Sequence, residues 1–157
     1  LLTFSDEYQK LKNVKNKDKI KNQFYLLEEF ILEEIKNNNK IKMNKFNQNV
    51  LIHGHCHQKS QDRMKGLKNL LSELNIKNEM IDSSCCGMAG SFGYDSKNYE
   101  VSKKMANLSL IPVINKSDEK DFIIANGTSC RHQISDLSKK EGKHVSELLF
   151  QIFETVN

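Results

Sequence analysis

Three short apolar runs interrupt an otherwise polar chain, and each has the character of a buried β-strand. They are Val50–Ile52, the shorter Met80-Ile81 and Phe122–Ile124. Continuous apolar runs bounded by polar residues are typical of strands that are covered on both faces of a sheet. The pattern therefore predicts three buried strands, of which the second carries the weakest signal.

The segments around these runs repeat apolar residues at helical spacing. This pattern predicts a short helix capped by Ser5 and longer helices over Lys19–Lys36, Gln61–Leu74, Tyr99–Leu110, Arg131–Lys139 and Val145–Val156. Pro112, the one proline, should end or kink the helix before it. Alternation of strands and helices predicts an α/β fold, in which helices flank a small parallel sheet with right-handed crossovers.

The chain divides into two segments by its pattern. Residues 1–46 are expected to form a helical lead-in, and residues 47–157 a cysteine-rich domain. The apolar stripe of the Lys19–Lys36 helix is wider than one packing face requires, which indicates either burial on two sides or a long core helix. A domain of 157 residues buries enough surface to fold without disulfides, so its cysteines need another explanation.

Composition excludes several classes of function. The net charge of +4 comes from lysines spread over predicted helices and accompanied by glutamates. No basic patch with interleaved aromatic residues is present, so we do not expect a nucleic-acid partner. No apolar stretch reaches the roughly 20 residues of a membrane span, and the first ten residues do not resemble a signal peptide. We expect a reducing, cytoplasmic location.

The four cysteines are the most informative feature. Cys56, the adjacent pair Cys85 and Cys86, and Cys130 each follow one of the three predicted strands. Carboxyl ends of parallel strands meet at one edge of a sheet, so these thiols should gather there and form a metal site. Neighbouring cysteines rarely pair with each other, because a disulfide needs a longer Cα separation than one peptide provides.

Other polar residues in the same three loops are candidates for a supporting role. Gly87 and Gly90 would let the backbone approach sulfur and expose N–H groups. Lys59, Arg131, His57 and His132 are placed to tune the potential of a negatively charged cluster. For Lys59, an ordinary exposed lysine is the simpler explanation.

Two other arrangements of these residues remain open. His53, His55 and His57 alternate along the chain, so two of them could share a side and complete a Cys/His zinc site. The usual spacings of zinc fingers are absent, however. A catalytic pair of Cys56 with His55 or His57 would leave three further cysteines unexplained. His144 lies far from the cysteines in sequence and is expected to be a surface or core histidine.

The motifs His53–Lys59, Cys85–Tyr94 and Gly127–Ile134 resemble the cysteine-rich CCG domain. That domain occurs in heterodisulfide reductase and in the iron–sulfur components of glycolate oxidase and anaerobic glycerol-phosphate dehydrogenase. The strings look most like the C-terminal end of fused FAD-linked oxidases for D-lactate or D-2-hydroxyglutarate.

The resemblance implies a function and a set of partners. It makes Cys56, Cys85, Cys86 and Cys130 ligands of a [4Fe–4S] cluster, with Zn as the alternative, and makes His55 a neighbour of that cluster. It also implies FAD on a missing part of the protein, a ferredoxin-like iron–sulfur domain, and electron transfer from flavin toward a quinone. The chain would then be a C-terminal piece of a longer oxidoreductase, cytoplasmic or peripheral on the inner face of the cytoplasmic membrane.

One position departs from the family pattern. Some members end the domain with C-x-x-C, but this chain carries Gln133 where the fifth cysteine would stand. A non-cubane cluster of the heterodisulfide-reductase kind requires five cysteines, so catalytic disulfide reduction is the less favoured alternative. A cubane cluster, or a zinc-stabilised structural domain for docking, stays compatible with four thiolates.

Overall fold

The computed structural model describes residues 7–12, 24–38 and 42–153 of the chain. Within these ranges the strands are β1 Val50–His53, β2 Asn78–Met80, β3 Phe122–Ala125 and β4 Gly142–Lys143. They pair in the order β2-β1-β3-β4, and every pairing is parallel. The predicted α/β fold with a small parallel sheet is confirmed.

Helices precede, connect and follow the strands. They are α1 Glu7–Lys10, α2 Leu27–Asn37, α3 Cys56–Ser60, α4 Met64–Glu73, α5 Tyr99–Leu108, α6 Leu110–Lys116, α7 Thr128–Leu137 and α8 Val145–Ile152, with a 3₁₀ turn at Phe92–Tyr94. In the described part of the chain, no helix combines the length and apolar character that crossing a bilayer would require.

Both faces of the sheet are covered by apolar side chains. Val50, Ile52 and Ile124 pack on one face against α4 and α8, and partly buried residues of α2 extend that cluster. Leu51 and Ile123 pack on the other face against α5, α6 and α7. Every residue of β1 and β3 is buried, which explains the continuous apolar runs Val50–Ile52 and Phe122–Ala125.

The first long helix begins later than its apolar stripe predicts. Leu26 is extended, and its backbone N–H donates a 2.8 Å hydrogen bond to the Glu29 carboxylate. Glu28 and Glu29 fill the first turn, where acidic side chains favour a helix N-terminus. The expected helical residues 19–23 and the Ser5 cap lie outside the described residues. The last helix ends at Ile152, before the predicted end at Val156, because Phe153 is extended.

Smaller boundary differences have local causes. Ser109 adopts non-helical angles, so α5 ends at Leu108 and α6 begins at Leu110. Pro112 therefore falls in the first turn of α6, where a missing N–H costs little. The helix after the third cysteine loop begins at Thr128 rather than Arg131, and β4 was not predicted.

The adjacent strands β1 and β3 are followed by connections that cross different faces of the sheet. After β1 the chain crosses to β2 through α4, whose Leu67 and Leu70 pack on one face of the sheet. After β3 it crosses to β4 through α7, whose Ile134 packs on the opposite face. The connections leave two adjacent strands toward opposite faces, so their carboxyl ends border a topological switch point, where open α/β sheets bind ligands.

Candidate metal centre

Three loops carry the cysteines to this switch point. Cys56 is the first residue of α3, three positions after β1 ends. Cys85 and Cys86 lie in the loop after β2, and Cys130 is the third residue of α7. Cys86 and Cys130 are each 2% exposed, whereas Cys56 and Cys85 are half-buried. All four are free thiols.

The buried pair is in direct contact. Cys86 Sγ and Cys130 Sγ lie 3.1 Å apart, at hydrogen-bond distance. This hydrogen bond lowers the pKa of Cys86 to about 4, against the opposing effect of burial, and the ring of His53 acts in the same direction. The same bond, burial and the negative charge of Cys86 raise the pKa of Cys130. Cys86 is therefore the sulfur of the pair that ionises first.

The two half-buried thiols join the same group. Burial and a hydrogen bond with Cys85 raise the pKa of Cys56, and the charge of Cys86 adds to that rise. The backbone N–H of Gly87 donates to Cys85 Sγ at 3.3 Å. Charges on Cys56 and Cys85 in turn raise the pKa of Cys130. The structure thus brings the four sulfurs into one electrostatically linked cluster.

His53 completes the inner wall of this cluster. It is the last residue of β1 and only 1% exposed. Its Nδ1 lies 2.8 Å from the hydroxyl oxygen of Ser83, but its buried Nε2 has no hydrogen-bond partner among the described residues. A ring nitrogen of His53 and the sulfurs of Cys86 and Cys130 all lie within 4.8 Å of one another.

The glycines after the cysteine pair adopt backbone conformations that other residues rarely adopt. Gly87 has φ +90°, and a Cβ there would stand 2.2 Å from the Ser102 carbonyl oxygen. Only glycine fits both conditions. Gly90 has φ +69°, but a Cβ would meet nothing within 4 Å. Gly87 therefore allows close packing of the cysteine loop on α5, whereas Gly90 is favoured only by the positive φ of its turn.

Gln133, at the position discussed above for a fifth cysteine, holds the cysteine loop in place. Its buried amide nitrogen donates to the Cys86 carbonyl oxygen at 3.0 Å. It also donates to the Ser102 carbonyl and hydroxyl oxygens at 3.2 and 2.9 Å. This residue thus ties α7, α5 and the cysteine loop together through hydrogen bonds and supplies no thiolate.

The two predicted tuning cations bind backbone carbonyls. Lys59 Nζ donates to the Ser83 carbonyl oxygen at 2.6 Å and also to that of Ser84. Arg131 Nη1 donates to the carbonyl oxygens of Ala125 and Asn126 at 3.0 and 2.9 Å. Each cation therefore holds the loop that leads into a cysteine.

The remaining predicted histidines differ in their surroundings. His55 and His57 stack edge-to-face at 5.4 Å, and burial together with the charge of His57 lowers the pKa of His55. A Cβ at Gly127 would lie 2.4 Å from the His55 ring and 3.1 Å from Cys130 Sγ, so His55 packs beside that sulfur. His57 is exposed, and so is His132, whose Nδ1 meets the Tyr94 hydroxyl at 2.6 Å.

A buried carboxyl group links α2 to two of the cysteine loops. Glu28 is 2% exposed and accepts hydrogen bonds from Gln58 Nε2 at 2.8 Å and Asn126 Nδ2 at 3.3 Å. Burial raises the pKa of this carboxyl group. Asn126 also accepts from the backbone N–H of Val145, at the start of α8. No spacing rule connects the members of this network, so the sequence alone does not predict it.

The donor set fits a bound metal. Thiolates and a buried imidazole nitrogen without a partner are the ligands that zinc and iron–sulfur centres use. A tetrahedral ion with metal–sulfur bonds of about 2.3 Å places its sulfurs about 3.8 Å apart. The sulfurs of Cys86 and Cys130 would separate by less than about 1 Å to reach that distance, starting from 3.1 Å.

Comparison with known proteins identifies the family. The model of the cysteine-rich domain named CCG matches residues 50–135, more than half of the chain. The chain belongs to the CCG cysteine-rich domain family. The matched region contains all four cysteines of the cluster, and the resemblance inferred from their motifs is confirmed.

Curated members with similar sequences are dehydrogenases or parts of them. The chain is 23% identical over 152 residues to D-2-hydroxyglutarate dehydrogenase from Pseudomonas putida, covering 96% of this chain and 14% of that protein. It is 24% identical over 149 residues to one component of anaerobic glycerol-3-phosphate dehydrogenase from Escherichia coli K12, covering 93% and 36%. It is 32% identical over 83 residues to D-2-hydroxyglutarate dehydrogenase from Pantoea ananatis, covering 53% and 8%.

This CCG chain therefore spans a small part, 8% to 36%, of the length of these relatives. No solved structure matches it significantly.

Proposed function

We propose that this chain is the iron–sulfur electron-transfer module of an FAD-linked dehydrogenase for 2-hydroxy acids, of the D-lactate, glycolate or D-2-hydroxyglutarate type. The observation that carries the proposal is the convergence of the cysteine loops: Cys86 Sγ contacts Cys130 Sγ at 3.1 Å, and Cys56 and Cys85 interact electrostatically with that buried pair. Family membership and the dehydrogenase names of the relatives support it. When bound, a [4Fe–4S] cluster would accept and release electrons.

Under this proposal, the other steps of the reaction take place on other domains or partner proteins. Oxidation of the hydroxy acid belongs to a flavoprotein domain or partner protein, and a ferredoxin-like iron–sulfur domain is the expected donor or neighbour. The electrons then pass to a quinone or a comparable acceptor. The proposed location is the cytoplasm, with a peripheral position on the inner membrane face bringing the module to a quinone.

Residues around the thiols have two proposed tasks. Lys59, Arg131 and Gln133 hold the three cysteine loops through the carbonyl hydrogen bonds described above. The N–H of Gly87, which donates to Cys85 Sγ, stabilises negative charge on that sulfur. Hydrogen bonds to cluster sulfurs raise the reduction potential, so this contact favours the reduced state.

Anaerobic reconstitution with ferrous iron and sulfide tests the proposal. We expect a coloured protein whose iron and acid-labile sulfide both approach four atoms per chain, as the [4Fe–4S] formula requires. Cys86→Ser should lower that content, and Ser84→Ala, at an exposed neighbouring position, is the matched control. A colourless chain that retains only zinc would refute the iron–sulfur assignment, because zinc has a filled d shell and no redox chemistry.

A second candidate function is a structural zinc centre that docks the flavoprotein to a partner. The specific observation in its favour is the short mutual distance of His53, Cys86 and Cys130, which suits the ligands of one ion. Under this alternative, Cys86→Ser should prevent folding even when zinc is supplied, because the ion that holds the fold together loses a ligand. Under the first proposal it should chiefly remove redox activity.

A further inference from the structure

His53 is the buried polar group that the four-thiolate assignment does not use. Its side chain is enclosed at the end of β1, beneath the cysteine loops. Burying an imidazole nitrogen away from water is unfavourable unless that nitrogen is bonded. Nδ1 lies 2.8 Å from the Ser83 hydroxyl oxygen, whereas Nε2 makes no hydrogen bond of good geometry among the described residues, although the ring also interacts with the Cys86 sulfur. The fold thus places a buried ring nitrogen without a well-formed hydrogen bond next to the sulfurs of the cluster.

The surroundings of His53 suit a metal atom. A ring nitrogen of His53 and the two buried sulfurs lie within 4.8 Å of one another. Metal–nitrogen bonds of about 2.0–2.1 Å and metal–sulfur bonds of about 2.3 Å would set the nitrogen–sulfur distance near 3.6 Å in a tetrahedral site. Small side-chain shifts therefore suffice to bring all three atoms to one metal.

We propose that Nε2 of His53 is a direct metal ligand beside Cys86 and Cys130. The inference rests on the proposed metal binding by the thiols, but it does not depend on whether the metal is iron or zinc. Ser83 is the positioning residue, because its hydroxyl oxygen, 2.8 Å from Nδ1, would accept the Nδ1 proton in the metal-bound form and leave the lone pair of Nε2 to the metal. His53 would then take the place of one of the half-buried thiolates, Cys56 or Cys85, because a [4Fe–4S] cubane or a tetrahedral zinc ion takes four protein donors.

The chemistry of the centre would change accordingly. Imidazole is neutral where a cysteine thiolate is negative, so a metal atom held by His53 carries less negative charge. In iron–sulfur proteins, histidine in place of cysteine raises the reduction potential. The inference thus predicts a centre that accepts electrons more readily than one held by thiolates alone.

Selective labelling of histidine with ¹⁵N tests the assignment in the full 157-residue chain. After anaerobic loading with ferrous iron and sulfide, the reduced sample is examined by pulsed EPR. We expect strong ¹⁴N coupling from a directly bound nitrogen, which changes to ¹⁵N coupling on labelling. His53→Gln should remove this coupling, whereas His144→Gln, at a half-buried histidine remote from the thiols in sequence, should retain it.

The outcomes separate this inference from the proposed function. An iron–sulfur cluster without nitrogen coupling, or with coupling that persists in His53→Gln, would overturn the His53 assignment and leave the proposed function standing. A chain that takes only zinc would sink the proposed function, and X-ray absorption would then decide about His53. An X-ray absorption spectrum that shows one imidazole nitrogen among the zinc ligands supports the assignment. A spectrum that shows only sulfur ligands, or the absence of bound metal, contradicts it. If His53→Gln fails to fold, the labelled wild-type chain still gives the answer.

Discussion

Gln133 Nε2 donates a 3.0 Å hydrogen bond to the backbone carbonyl oxygen of Cys86. A side chain on α7 thereby fixes the peptide of a cysteine that lies 47 residues earlier in the chain. The position that could have carried a further thiol instead holds the loop of another thiol in place. Loop geometry at this centre is thus maintained by buried polar contacts of the polypeptide itself.

Replacing Gln133 by leucine should destabilise the metal-free chain. The change removes bonds to the Cys86 carbonyl and to Ser102 inside the protein, and leaving buried groups unpaired costs about 1–3 kcal/mol. Urea unfolding under reducing conditions measures the loss. Gln151→Leu, at an exposed position of α8, should change stability by less than about 0.5 kcal/mol. Equal effects of the two changes would contradict the assigned role.

Gly87 and Gly90 offer a matched comparison of two alanine substitutions. Both residues have positive φ, which costs an L-residue about 1–2 kcal/mol. Gly87→Ala adds a clash with a backbone oxygen, so it should cost more than about 3 kcal/mol or prevent folding. Gly90→Ala should cost only the about 1–2 kcal/mol that positive φ imposes. Chemical denaturation of both variants checks the order, and a larger loss at Gly90 would show that the loop is packed differently.

Glu28 should make stability depend on pH. Its pKa is raised in the folded state, so its contribution is complete below the usual carboxyl pKa and decreases as pH rises through the folded value. Glu28→Gln removes that loss and keeps an oxygen for Gln58 and Asn126. The variant should therefore gain stability over the wild type between about pH 5 and pH 8. Urea unfolding at both values measures the gain, and the exposed Glu34→Gln should show none.

Lys59 should influence how firmly the centre holds its metal. Its ammonium group binds the carbonyls of Ser83 and Ser84, the residues that lead into Cys85. Lys59→Met keeps the apolar stem but removes the donors, and we expect a loss of about 1 kcal/mol together with faster metal release. Transfer of metal to a chelator measures the rate. Lys65→Met, in an exposed ion pair with Asp62, should leave it unchanged.

The strands that build the centre could be predicted because burial on both faces leaves a continuous apolar run. Parallel pairing places the loops that follow the strands at one edge of the sheet. The expected gathering of the cysteines at that edge therefore required only that the strands be parallel. In contrast, β4 could not be predicted. Gly142 and Lys143 carry no strand pattern, and they pair with Ile123 and Ile124 only because α7 returns the chain to that position.

The polar contacts around the thiols were harder to predict than the thiols themselves. His53 meets Ser83 because the backbone N–H of Ile81 bonds to the carbonyl oxygen of Ile52, which aligns the ends of two strands. That register is set by the pairing of strands that are distant in sequence, so sequence spacing does not predict it. The same holds for Lys59, whose partners are backbone oxygens that no motif displays.

The buried carboxyl of Glu28 has a practical consequence for anyone who shortens this polypeptide. Cutting at the borders of the family match, residues 50–135, would discard α2, β4 and α8. Gln58 and Asn126 would lose their shared acceptor, and one side of the sheet would be stripped of its α8 cover. Such a truncation is expected to aggregate through that bare apolar surface. Expression limits should follow the packing and extend from before Leu27 to beyond Ile152.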